Sequence, residues 1–258
     1  MELLPKDLPD FKPGWVWLAG AGPGDVGLLT LHALNALRKA DVLVYDALVG
    51  EKIMELVSSN CELEYAGKRG GKPSPKQKDI SLRLAELAQQ GKRVLRLKGG
   101  DPFIFGRGGE EAVHLFKAGI PFRIIPGITA GIGGTAYAGI PLTHRDINSS
   151  VTFIAGRGSV GELPERHNWE AIAKGSPVIV MYMATKYIHE IVGRLLNYGR
   201  KPDEPVAVIA KASLPEQMVL ETRLCECVEE IKKNKIEPPA LIVVGEVVSL
   251  RSYMKWMD

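Results

Sequence analysis

The chain has 258 residues, 45% of them hydrophobic and 24% charged, and its 33 Lys and Arg against 30 Asp and Glu leave a formal net charge of +3. That length buries a substantial core in one large or two modest domains, and so even a charge balance gives no basis for a nucleic-acid partner. No apolar run reaches the roughly 18 residues that span a bilayer, so no membrane is called for, and three cysteines are too few for a disulfide framework or a four-ligand zinc site.

Met1 to Pro13 is rich in proline and charge, lacks the apolar segment of a secretory signal, and reads as a disordered lead-in. Strand-like and helix-like periodicity then alternate. Trp15 to Gly20, Asp41 to Asp46, Glu62 to Ala66, Arg93 to Lys98 and Phe122 to Pro126 read as strands. Leu28 to Lys39, Glu51 to Ser58, Pro75 to Gln90, Gly109 to Ala118 and Thr129 to Ala138 read as the helices between and after them. Such βαβ repetition predicts an α/β domain on a mostly parallel sheet covered on both faces. The polar stretch from Leu142 to Ser150 marks the domain boundary, giving an N-terminal domain over 14–144 and a C-terminal one over 150–250.

In the second half, Val151 to Ala155, Pro177 to Met183, Val206 to Lys211 and Ala240 to Val244 read as strands, with helices at Trp169 to Lys174, Tyr187 to Tyr198 and Leu224 to Asn234. Met218 to Thr222 follows a proline-containing turn and predicts an antiparallel strand, hence a mixed sheet. Two α/β domains joined by a short linker are expected to leave a cleft for a ligand. Cys61, Cys225 and Cys227 read as reduced thiols of a cytoplasmic protein.

Two glycine-rich strand ends carry the chemistry. The loop from Gly99 to Glu111 places Asp101, Arg107, Glu110 and Glu111 where open α/β sheets bind ligands. A solvated turn followed by an acidic first helical turn is the plainer reading, and for Glu111 the favoured one. Earlier, Gly22, Gly24 and Gly27 satisfy the dinucleotide pattern G-x-G-x-x-G, with Asp41 or Asp46 near the position of a ribose-binding acid. Pro23 removes a backbone N–H where a pyrophosphate is cradled, which argues against that reading. Asp46 ends the second strand and is a candidate functional carboxylate.

The segments Val16 to Asp25, Gly99 to Glu111, Pro126 to Ala130, Gly139 to Arg145, Tyr182-Met183 and Pro239-Ala240 resemble the tetrapyrrole methylase family over nearly the whole chain. Pro141-Leu142-Thr143-His144-Arg145 is the more particular match, to members acting on uroporphyrinogen III. The resemblance implies two methyl transfers from S-adenosyl-L-methionine to C2 and C7 of that substrate, giving precorrin-2 for sirohaem or corrinoid synthesis and S-adenosyl-L-homocysteine as by-product. No metal is implied. It further implies a homodimer and a cofactor site in the interdomain cleft formed by Pro23, Gly99, Gly100, Asp101, Ile104, Thr129, Ala130, Met183, Ala212 and Ala240.

A substrate with eight carboxylates asks for cations, best as planar forks, and Arg107 and Arg145 are the candidates. Lys68 and Arg69 open a basic loop that either guides the polyanion or is simply solvated surface. Arg107, Glu110 and Asp46 form the candidate catalytic set, with Arg107 binding substrate and stabilising charge rather than acting as a base, since its side chain stays protonated. The identity of the general base is open. A methylase of a later corrin precursor and a non-catalytic tetrapyrrole-binding protein are the alternatives; the intact Pro141 to Arg145 motif speaks against the first, and the intact Arg107 and cofactor loop against the second.

Overall fold

A strand covered on both faces loses the alternation of apolar and polar residues, and β1 (Val16–Gly20) shows this by being buried at all five positions. The computed structural model describes residues 5–67, 77–158 and 161–257. The chain divides into two units, 1–129 and 130–258.

In the first unit the strands are β1, β2 (Val42–Tyr45), β3 (Glu62–Tyr65), β4 (Val94–Lys98) and β5 (Phe122–Ile125). They pair in parallel in the order β3-β2-β4-β1-β5. Helices α1 (Leu31–Lys39), α2 (Glu51–Met54), α3 (Gln77–Gln89) and α4 (Gly108–Lys117) connect them. Side chains alternate across a strand, so Trp17, Ala19, Leu43, Leu95 and Leu97 pack with Ala33, Ala36 and Leu37 of α1. The other face sends Val16, Leu18, Val42, Val44 and Val94 against Ile80, Leu84 and Leu115 of α3 and α4.

The second unit holds β6 (Thr152–Ala155), β7 (Ile179–Tyr182), β8 (Pro205–Ala210), β9 (Met218–Arg223) and β10 (Ala240–Val244) in the order β6-β7-β10-β8-β9. Only β6 and β7 pair in parallel, so the sheet is mixed and the antiparallel strand expected at 218–222 is β9. Its helices include α5 (Ala130–Tyr137), α6 (Trp169–Gly175), α7 (Ile188–Asn197), α8 (Cys227–Lys233) and α9 (Arg251–Met254). Met181, Val206, Val208 and Ile242 pack against Ile191 and Leu195 of α7 and Val228 and Ile231 of α8.

Helix α5 belongs to the second unit, which begins at Ala130. Its glycines explain this: the Gly131 amide donates to the Tyr182 hydroxyl at 2.8 Å, and a Cβ on Gly134 would meet Ala212 and Leu241. The expectation of a disordered lead-in is corrected, since Phe11 is buried and stacks on Trp17 with ring centroids 4.4 Å apart. The single aromatic residue of that segment was the available signal.

Candidate functional site

In the first unit the functional candidates collect at the carboxyl ends of β1, β2 and β4, because parallel pairing brings those ends to one edge of the sheet. β1 runs into Gly20 and β4 into Lys98 at matching register, after which Gly22 and Gly100 form an isolated bridge. The chains approach so closely that a Cβ on Gly20 or Gly127 would collide with the Gly100 carbonyl. Gly100 itself has a φ of +67°. A Cβ on Gly99 would strike Leu48, which places the Gly99 to Asp101 loop against the loop that follows Asp46.

Asp101 fixes this loop. One carboxylate oxygen accepts from the amides of Phe103 at 2.7 Å and Ile104 at 3.1 Å, and the other accepts from Gly127 at 2.9 Å. Its side chain therefore builds the loop, on which Ile104 is exposed. Arg107 takes a left-handed conformation, φ 60°, immediately before α4. Its exposed guanidinium forks onto Glu110, Nε to Oε1 at 2.8 Å and a terminal nitrogen to Oε2 at 2.7 Å. That hydrogen bonding raises the Arg107 pKa further and lowers that of Glu110, so neither is suited to take up a proton at neutral pH.

The glycine motif after β1 does not make a phosphate cradle. Asp25 accepts from the Gly27 amide at 2.7 Å and caps a short 3-10 turn over 26–28, and α1 starts only at Leu31, where Thr30 accepts from the Ala33 amide. A carboxylate thus occupies a donor that a pyrophosphate would need, and the half-buried Pro23 offers none.

In the second unit, Met183 follows β7, Ala212 follows β8 and Ala240 opens β10. Because β10 runs antiparallel to both neighbours, its first residue pairs with Ala210 and its second with Tyr182, so all three positions share one sheet edge. Ala130 begins α5 beside that edge. Met183, Lys211 and Ser213 have φ of 54°, 50° and 61°, and Phe105 and Arg107 in the first unit have 54° and 60°. Five of the six described non-glycine residues with positive φ thus lie at or next to candidate positions, and such strain gathers where ligands bind. Ile104 in the first unit and Met183 in the second are each exposed beside these turns.

Arg145 stands exposed on a tight turn pinned by Asn148, whose side chain accepts from the His144 amide at 3.0 Å and donates to the Leu142 and Ser150 carbonyls. Thr129 is buried. Lys68 and Arg69 lie outside the described residues. Among the described residues no group of three or more His, Cys, Asp or Glu is placed to hold a metal.

Sequence reasoning missed a buried charge cluster beneath the glycine loop. Arg96 and Lys98 alternate along β4 onto the face covered by α3 and α4, where hydrophobic residues would ordinarily sit. Both reach the same oxygen of Glu111 at 3.1 Å, and Gln77 donates to it at 2.8 Å. Glu111 is fully buried, which corrects its reading as a solvent-facing complement to the helix dipole. Arg96 also reaches toward Asp46, 3.8 Å away, whose other oxygen accepts from the Leu48 amide. The signal was present: two cations at alternate positions of an apolar strand require a buried counter-charge.

Residues 16–227 match the family described as tetrapyrrole (corrin/porphyrin) methylases. Over 250 residues the chain is 62% identical to a uroporphyrinogen-III C-methyltransferase from Sinorhizobium sp, covering 97% of this chain and 89% of that protein. It is 48% identical to a siroheme synthase from Actinobacillus pleuropneumoniae, covering 98% of this chain but about half, 52%, of that longer protein. Among solved structures, a uroporphyrin-III C-methyl transferase from Thermus thermophilus complexed with S-adenyl homocysteine superposes with a TM-score of 0.78 at 38% identity, covering 91% of this chain and 99% of that one.

Proposed function

We infer the activity of this chain from the family to which it belongs, the tetrapyrrole (corrin/porphyrin) methylases: it transfers methyl groups from S-adenosyl-L-methionine to C2 and C7 of uroporphyrinogen III, giving precorrin-2. The observation that carries this reading is the 62% identity to a uroporphyrinogen-III C-methyltransferase over nearly the full length of both chains. S-Adenosyl-L-methionine, when bound, supplies a methyl group already activated on a sulfonium and leaves as S-adenosyl-L-homocysteine. Each transfer forms one carbon–carbon bond, breaks one sulfur–carbon bond and releases one proton from the substrate. The protein therefore needs to align donor and acceptor, compensate charge and receive a proton.

Arg107 meets substrate carboxylates, with Glu110 holding its guanidinium plane in a set orientation. Arg145, and Lys68 and Arg69 in the basic loop, supply further positive charge for the same polyanion. Asp46 is the proton acceptor. Its rivals at these strand ends are committed, Asp101 and Asp25 to backbone amides and Glu110 to Arg107, whereas Asp46 gives one oxygen to the Leu48 amide and stands 3.8 Å from Arg96. Backbone groups at Pro23, Gly99, Gly100, Thr129 and Ala130, with the side chains of Ile104, Met183, Ala212 and Ala240, contact the cofactor. The enzyme works as a cytoplasmic homodimer.

Stoichiometry tests the reading. Incubated anaerobically with uroporphyrinogen III, the chain is expected to release two molecules of S-adenosyl-L-homocysteine per tetrapyrrole consumed. Release that does not depend on uroporphyrinogen III would refute it.

A further inference from the structure

The cluster under the glycine loop is unevenly wired. A single Glu111 oxygen accepts from Arg96, Lys98 and Gln77, while its other oxygen is buried with no partner among the described residues. Arg96 is held at 3.1 Å by Glu111 and stops 3.8 Å short of Asp46, with its remaining nitrogen toward the carbonyls of Val44 and Leu97. Arg96 is only 3% exposed and lies between the two carboxylates, 3.1 Å from Glu111 and 3.8 Å from Asp46. The guanidinium thus bonds Glu111 directly and meets Asp46 only at the longer distance.

We propose that Glu111 is a positioning residue for Asp46, acting through Arg96. The inference rests on the reading of Asp46 as proton acceptor. With Glu111 in place, Arg96 is satisfied within the core and one Asp46 oxygen accepts no hydrogen bond among the described residues, Arg96 standing 3.8 Å from it. Without that negative charge, Arg96 and Lys98 face Asp46 uncompensated, and the guanidinium closes the remaining gap to form a full ion pair. Among the described residues, the groups around Asp46 are Arg96 and Lys98 from β4, Glu111 and Glu110 behind them on α4, and Tyr65 of β3, whose hydroxyl lies by Gly67 and Ala47. Burial, and then the neighbouring Arg96, lower the Lys98 pKa, while Glu111 and Asp46 act to raise it.

The test is the pH dependence of kcat for two variants with opposite electrostatic effects. Glu111→Gln removes the counter-charge, and the acid limb of the profile should move to lower pH by about one unit, with the plateau falling roughly tenfold as Arg96 engages Asp46. Lys98→Met removes a cation from the same cluster, and the acid limb should move to higher pH. Affinity for S-adenosyl-L-homocysteine should change less than about twofold in both, because neither touches the cofactor positions. Profiles that drop in height without moving, or that move in the same direction, would overturn the inference and leave Glu111 a clamp. If Glu111→Gln does not fold, Lys98→Met alone decides, an unmoved limb being the negative result. Asp46→Asn separates the two layers: if it turns over normally, the proton-acceptor reading fails and takes this inference with it. If it is inactive while the other two profiles stay fixed, only the role of Glu111 is lost.

Discussion

At the scale of single residues, Arg107 combines a left-handed backbone with a fully formed fork onto Glu110 on the exposed surface. An exposed pair three residues apart contributes little to stability, at most about 1 kcal/mol, so the strained, preset guanidinium is better explained by a carboxylate it awaits. Arg107→Ala is expected to lower kcat/KM by roughly 10- to 100-fold, the scale of a charged hydrogen bond of about 1.5–3 kcal/mol. The melting temperature and the affinity for S-adenosyl-L-homocysteine should be nearly unchanged. Steady-state kinetics beside calorimetric titration checks this, and normal kcat/KM would remove Arg107 from the substrate site. The sequence made Arg107 and Glu110 visible because a glycine-rich loop needs no charge of its own. It hid the part played by Asp101, which besides its local bonds to the Phe103 and Ile104 amides reaches the Gly127 amide 26 residues away.

At the scale of elements, the strands were legible almost to the residue, because short apolar runs between turn signals have few other solutions. Helix starts were less so. The 3-10 turn capped by Asp25 delays α1 to Leu31, and α2 stops at Met54. Arg96, Lys98 and Glu111 went unread because strand periodicity assigns a face but not what covers it; only the packing of α3 and α4 reveals that this face is closed. Pairing between elements also sets a pH dependence. Asp41, just before β2, accepts from the Arg93 amide at 2.8 Å and from its guanidinium at 3.0 and 2.7 Å. These bonds lower the Asp41 pKa. A carboxyl depressed in the folded state adds stability above its unfolded value, near about 4, and loses it as the pH falls through the folded value. Asp41→Asn should therefore cost about 1 kcal/mol at pH 7, the scale of a partly screened pair. Its melting curve should converge with that of the parent as the pH drops below about 4, and a constant difference across that range would argue against the assignment.

At the scale of the whole molecule, each unit has its own sheet and its own packed interior. The alternation of short strands and helices made the α/β class plain. What ties α5 to the second sheet was not, because the glycine face of that helix is nearly featureless in sequence. A ligand that binds only the folded chain raises its stability by mass action, about 2.7 kcal/mol at a hundredfold excess over Kd. Thermal melts should accordingly rise with added S-adenosyl-L-homocysteine and stay unchanged with NAD. The reverse would restore the dinucleotide reading of Gly22, Gly24 and Gly27.

The most direct measurement is where the transferred carbons come to rest. With uroporphyrinogen III and S-adenosyl-L-methionine labelled with carbon-13 at the methyl group, nuclear magnetic resonance of the anaerobic product should show two labelled methyls bonded to ring carbons C2 and C7. A product with no labelled methyl, or with the label on other ring carbons, nitrogen or carboxylate oxygen, would contradict the account.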